Sequence, residues 1–175
     1  MLESEPDLRE LQDLLDRSRA GATKHLRDII GDDRALTAAE VAGLLTGMKV
    51  LALSTVTAGG EPRISCVDGH FLHGTWTFST DGAAAKARHI EARPAVSAAH
   101  VDGEDLALFA HGVAERLEPE HEGWDETLGH WTAHYGESPL GWGDDVRLYR
   151  LRPTFMVGYA PDRPGLLARR GVTTA

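Results

Sequence analysis

Between residues 49 and 117 the chain carries five runs rich in β-branched and apolar residues, and most of the joints between them are short. "KVLALSTVT" (49–57) meets "RISCVDGHFL" (63–72) across the turn-forming "AGGEP" (58–62). Only two residues separate that second run from "TWTFST" (75–80). "AVSAAHV" (95–101) and "LALFAHGVAERL" (106–117) flank Asp102-Gly103, a hairpin signal. Parallel neighbours need a crossover of about a dozen residues or more, which these joints cannot supply. The runs therefore predict antiparallel pairing. A sixth run, "VRLYRLRPTFMVGY" (146–159), contains Pro153, which implies an edge position or a bulge.

Helical patterns lead into this region and interrupt it. Residues 6–30 place Leu8, Leu11, Leu15, Leu26, Ile29 and Ile30 at helical spacing, with a break expected near Gly21. Thr37 and Glu40 form a capping box ahead of Val41, Leu44 and Leu45, and Gly47 is placed to end that helix. A short polar helix is expected within 80–93. Another is expected across 120–135, with Trp124, Leu128 and Trp131 on one face. Helices first, then about six strands with two short inserted helices, predict an α+β protein built on a six-stranded antiparallel β-barrel. The stretch after Pro161, rich in Arg, Pro and Gly, reads as a mobile arm.

A chain of 175 residues with 42% apolar content suits one domain with a real core. Its net charge of −9 and pI near 5.4 argue against nonspecific binding to nucleic acid or anionic membranes. Cys66 is the only cysteine, which excludes an internal disulfide and a multi-cysteine zinc site and fits a reducing, cytoplasmic setting. The N-terminus carries no apolar signal-peptide core, and no run approaches the ~20 apolar residues of a spanning helix.

The chemistry-bearing stretch is "TDGAAAKARHIEARPAVSAAH" (80–100). Small residues after Thr80 let an anion approach the backbone, and free N–H groups at a helix start can hold it. Lys86 and Arg88 add positive charge, a combination suited to phosphate. The plainer reading is a polar helix with exposed basic residues, which spacing alone does not displace. Arg63, opening its strand, either meets the same anion or guards an edge. His130 and His134 stand at i, i+4, a spacing able to bind a metal, but the stretch H-W-T-A-H lacks the glutamate of the H-E-x-x-H motif, and no metal is expected. The sequence holds no G-x-S-x-G elbow, no P-loop and no G-x-G-x-x-G.

Taken in order, "VLALSTVTAGGEPRIS", "TWTFSTD", "KARHIEARPAVS", "HGVAERL" and "YRLRPT" resemble the pyridoxamine 5'-phosphate oxidase-like superfamily of FMN-binding split β-barrels, over roughly residues 37–159. The resemblance implies a homodimer with two cofactor sites at the subunit interface. It divides the chain into an N-terminal helical extension (1–36), a split-barrel flavin-binding domain (37–160) and a C-terminal arm (161–175). The flavin phosphate would fall to Arg63, Ser65, Ser79, Thr80 and Lys86. The first strand around Ser54, Thr55 and Val56 would lie near the ring or ribityl chain.

Two departures bear on activity. Relatives that oxidise pyridoxamine phosphate carry Ser-Arg-Lys before the helix, where this chain has Ala84-Ala85-Lys86. The closing segment also lacks their Trp and His. The resemblance therefore implies an FMN-binding oxidoreductase acting by hydride transfer on some other small organic substrate. The alternatives are a reductase using the deazaflavin coenzyme F420, and a non-catalytic flavin or haem carrier. No acid or base is assigned, although His70 or His73 is a candidate to lie near the ring.

Overall fold

The computed structural model describes residues 2–173. Three helices open the chain: α1 (Glu5–Ala20), α2 (Lys24–Ile29) and α3 (Ala38–Leu44). Gly21 separates the first two, as the spacing predicts. Strands β1 (Met48–Val56), β2 (Pro62–Leu72) and β3 (Thr75–Asp81) follow, then α4 (Ala85–Ala92), β4 (Ala95–Asp102) and β5 (Leu106–Leu117). The chain continues through α5 (Trp124–Tyr135), β6 (Val146–Tyr159) and α6 (Arg163–Arg170). No helix among the described residues is long and apolar enough to cross a membrane.

All strand pairings are antiparallel, and the sheet closes into a barrel in the order β1-β2-β3-β6-β5-β4. A six-stranded barrel is narrow, so inward side chains fill it. Leu51, Leu53, Trp76, Phe78, Leu108, Tyr149 and Leu151 are buried there, with Phe78 and Tyr149 stacked at 5.3 Å. The alternation of Trp76 and Phe78 thus faces both into the barrel. β6 pairs with β3 only over Val146–Leu151, so Pro153 lies where β5 is its single strand partner, and at a bulge. His111 pairs with Phe155 but Gly112 pairs with Pro153, leaving Thr154 as the extra residue. Gly112 is needed there, because a Cβ would strike the Arg152 carbonyl and Pro153 backbone.

The two-residue β2–β3 turn takes positive φ at both His73 (53°) and Gly74 (73°), the geometry that matches strand twist in a tight hairpin. Packing over α1 and α5 holds the histidine there. Its Nδ1 lies 3.0 Å from Asp7 of α1 and its Nε2 lies 3.2 Å from Glu126 of α5.

The stretch read as a mobile arm instead folds into the body through residue 173; its last two residues lie outside the described residues. Residues 163–170 form α6, with Leu166 and Leu167 buried in the main core. Composition pointed to the basic residues and missed the two leucines on the inner face. The capping-box residue Glu40 completes the docking. One carboxylate oxygen accepts from the Thr37 backbone N–H at 2.8 Å, and the other accepts twice from Arg163, at 3.1 and 2.8 Å. Glu40 is wholly buried, so this pairing is what makes its burial tolerable.

Candidate functional site

The barrel is split at one end. β2 pairs with β3 only over Gly69–Leu72 against Thr75–Phe78. The first half of β2, from Pro62 to Asp68, pairs with β1 alone, while Ser79–Asp81 of β3 pair with β6. A gap therefore opens between the start of β2 and the end of β3. Arg63 and Ser65 stand on one lip, and Ser79 and Thr80 on the other.

Helix α4 closes this end. Its buried side, Ala87 and Ile90, enters the core. A second face, Lys86, His89 and Arg93 at i, i+3 and i+7, turns to the end of β1. His89 Nδ1 lies 3.0 Å from the Thr55 hydroxyl, and Arg93 Nε donates to the Val56 carbonyl at 3.0 Å. Lys86 begins the same face, half-buried, and its ammonium enters no ion pair or hydrogen bond among the described residues. The N-cap is Ala84, which offers no side-chain bond to the first turn. An uncapped helix start beside an unpaired ammonium favours an anion.

The tight approach at Gly82 shapes the same corner. A Cβ there would collide with Asp145 and Arg147, whose side chains pair with each other at 2.6 Å. Arg147 also pairs with Glu91 of α4, tying β6 to the helix.

The structure does not serve all sequence-predicted residues equally. Arg63, Ser65, Ser79 and Thr80 stand on the strand segments that flank the gap, with Thr80 on the barrel-facing side and Ser79 on the side of α5, and Lys86 stands in the first turn of α4. Arg63 is engaged with Glu61 at 2.7 Å and would have to leave that carboxylate to meet an anion. Thr55 is buried and its hydroxyl is used by His89. The Val56 carbonyl is taken by Arg93, so of the three β1 residues Ser54 alone keeps a polar side chain without a partner among the described residues. His70 and His73 lie at the far end of β2, away from the gap, which removes them as candidates near a ring held there. Sequence reasoning missed His89 and Arg93. Their i+3 and i+7 offsets from Lys86 were the available signal.

His70 has a different setting. It is fully buried on the outer face of β2, beneath α5. Its ring nitrogens lie 3.1 Å from His130 Nε2 and 3.4 Å from the Tyr135 hydroxyl, and that hydroxyl donates to Asp68 Oδ2 at 3.2 Å. Burial, followed by the neighbouring His130 and His134, pushes the His70 imidazolium down to about 3, so His70 is neutral at ordinary pH. Trp131, on the same helix, donates to the Thr77 hydroxyl at 3.1 Å and seals the cluster against the barrel wall.

A closed antiparallel barrel, split between β2 and β3 and plugged there by a short helix with an anion-favouring start, defines a split-barrel protein. The chain belongs to the pyridoxamine 5'-phosphate oxidase family, whose sequence profile matches residues 37–154, more than half of its length. Among solved structures, Atu2129 of Agrobacterium tumefaciens, a protein of unknown function, is 26% identical with a TM-score of 0.57. That alignment covers 68% of this chain and 54% of the other, so this chain spans about half the length of that relative. HutZ of Vibrio cholerae, described as a haem storage protein, is 25% identical with a TM-score of 0.59, covering 70% and 96%. An F420 reductase shares the fold at 23% identity and a TM-score of 0.51, covering 65% and 92%. No curated relative matches the sequence.

Proposed function

We propose that this protein is an FMN-binding oxidoreductase that holds the cofactor phosphate at the gap between β2, β3 and α4. The observation that carries this reading is Lys86, an ammonium without a protein partner among the described residues, at the uncapped start of α4. Ser65, Ser79 and Thr80 on the two lips would supply hydroxyls, and Arg63 a second cation once released from Glu61. A flavin bound there would supply hydride chemistry to or from a small organic substrate, while the chain positions the ring and keeps its phosphate fixed. His89 sits one turn beyond Lys86, where it holds the end of β1 rather than a reacting atom.

A homodimer completes this reading. The outer faces of β1, β2, β4 and β5 leave Val50, Ile64, Val101 and Val113 exposed, with Ile64 at 73%. By register these residues share one surface with Ala52, Cys66 and Ala99. That surface runs up to the gap, so a second copy seated on it would wall the cofactor site.

The second reading is a carrier of haem or flavin without turnover, favoured by the likeness to HutZ. A deazaflavin reductase is the third, and rests on the fold shared with the F420 reductase. The test is the absorbance spectrum and mass of whatever copurifies, followed by titration of the stripped protein with FMN, F420 and haem. Tight FMN binding that fails in Lys86→Ala supports the proposal. Selective binding of F420 or haem replaces it with the corresponding alternative.

A further inference from the structure

The histidines between β2 and α5 are not used by the function proposed above. We propose that His70, His130 and His134 form a binding site for a divalent transition-metal ion of the zinc type, clamping α5 to the barrel wall. Two of the nitrogens already stand at ligand spacing. Two nitrogens bound tetrahedrally to one zinc, each at about 2.0–2.1 Å, lie roughly 3.3 Å apart. His70 Nδ1 and His130 Nε2 are 3.1 Å apart.

The hydrogen bonds also fix which atom carries a lone pair. Tyr135 donates its own proton to Asp68, so its oxygen receives a proton from His70 Nε2. Nδ1 of the neutral His70 is then unprotonated and aimed at His130. This carboxylate–tyrosine–histidine chain performs the task that outer-shell partners perform at metal sites: it sets the tautomer and ring orientation of the ligand. Without an ion, His130 must donate its Nε2 proton to His70. Binding an ion at both nitrogens requires His130 to move that proton to Nδ1, with no net proton released.

His134 lies one helical turn beyond His130, exposed, with its ring centroid 4.8 Å from that of His70. It makes no hydrogen bond to that pair, and among the described residues no group of three His, Cys, Asp or Glu side chains is placed to hold a metal ion. The proposed site therefore requires His134 to change rotamer, which its exposed position leaves it free to do. Three neutral imidazoles suit zinc, copper or nickel better than calcium or magnesium, and water fills the fourth position. The sequence alone led to the opposite expectation, because the stretch H-W-T-A-H lacks the glutamate of the H-E-x-x-H motif. The third ligand, His70, comes from a strand sixty residues earlier.

The test uses the full chain without a histidine tag, stripped by chelation, with Zn2+ followed by calorimetry and Co2+ by its visible spectrum. One ion per chain is expected, with a tetrahedral Co2+ signature and a higher melting temperature. His130→Ala and His134→Ala should each weaken binding by about 100-fold or more, and Tyr135→Phe by about 10–100-fold, as for loss of an outer-shell partner. His25→Ala, at an exposed helix position, should bind as the parent does. Far-ultraviolet circular dichroism confirms that each variant is folded, which matters because His70 itself is too buried to replace safely. Absence of a stoichiometric ion, or affinity unchanged in both His130→Ala and His134→Ala, overturns the site.

Discussion

Lys86 is available because of what its neighbours do. His89 and Arg93, on the same face of α4, are committed to Thr55 and the Val56 carbonyl, and Arg147 is committed to Asp145 and Glu91. Lys86→Ala should therefore weaken binding of a phosphate-bearing cofactor by about 1.5–3 kcal/mol, the worth of a charge-assisted contact, without loss of fold. Titration of FMN into the stripped variant measures it, and parental affinity would remove Lys86 from the site. Thr55 is predicted to act on stability rather than contact. Thr55→Val leaves His89 Nδ1 without its partner and should cost about 1 kcal/mol in urea unfolding, while cofactor affinity changes little.

At the scale of elements, two junctions support the barrel. One is α6, whose Leu166 is buried against the main core. Leu166→Ala should destabilise the protein by about 2–5 kcal/mol in denaturant, whereas a loose arm would give no change. The other is the β5–β6 ladder, where Arg150 and Arg152 of β6 both pair with Glu115 of β5, at 3.3 and 2.7 Å. Burial pushes the Glu115 carboxyl up, but the two guanidiniums override it and hold the group below its ordinary value of 4.5. The unfolded chain thus takes up this proton first as pH falls. The stabilisation is fully present above about 4.5 and is lost as pH drops through the lower native value. In Glu115→Gln, unfolding free energy should fall less steeply with pH below 4.5, as read from melts across an acid series.

At the scale of the whole molecule, the outer face of β1, β2, β4 and β5 leaves Val50, Ile64, Val101 and Val113 exposed together. Ile64 is the most exposed of its large apolar residues. A charge placed there would be desolvated by a second copy but harmless on a free monomer. Ile64→Glu should therefore shift the mass in solution from dimer to monomer and weaken FMN binding together. A dimer that survives the change would place the interface elsewhere.

Much of this protein is written locally. The six strands, the capping box at Thr37 and Glu40, the break at Gly21 and the edge or bulge expected at Pro153 follow from short-range chemistry, because turn type, cap and side-chain alternation act over a few residues. The local pattern around Lys86 allows a phosphate seat but leaves a plain polar helix equally open, and the order of the strands on either side is what singles it out. Other features join residues far apart in the chain, and only the closed barrel decides them. The end of the β2–β3 ladder at Gly69 opens the gap. The docking of α6 turns a basic tail into core. The placement of α5 over β2 brings His70 to His130. No local pattern carries these outcomes, because each depends on which surfaces remain unburied once the sheet has closed on itself.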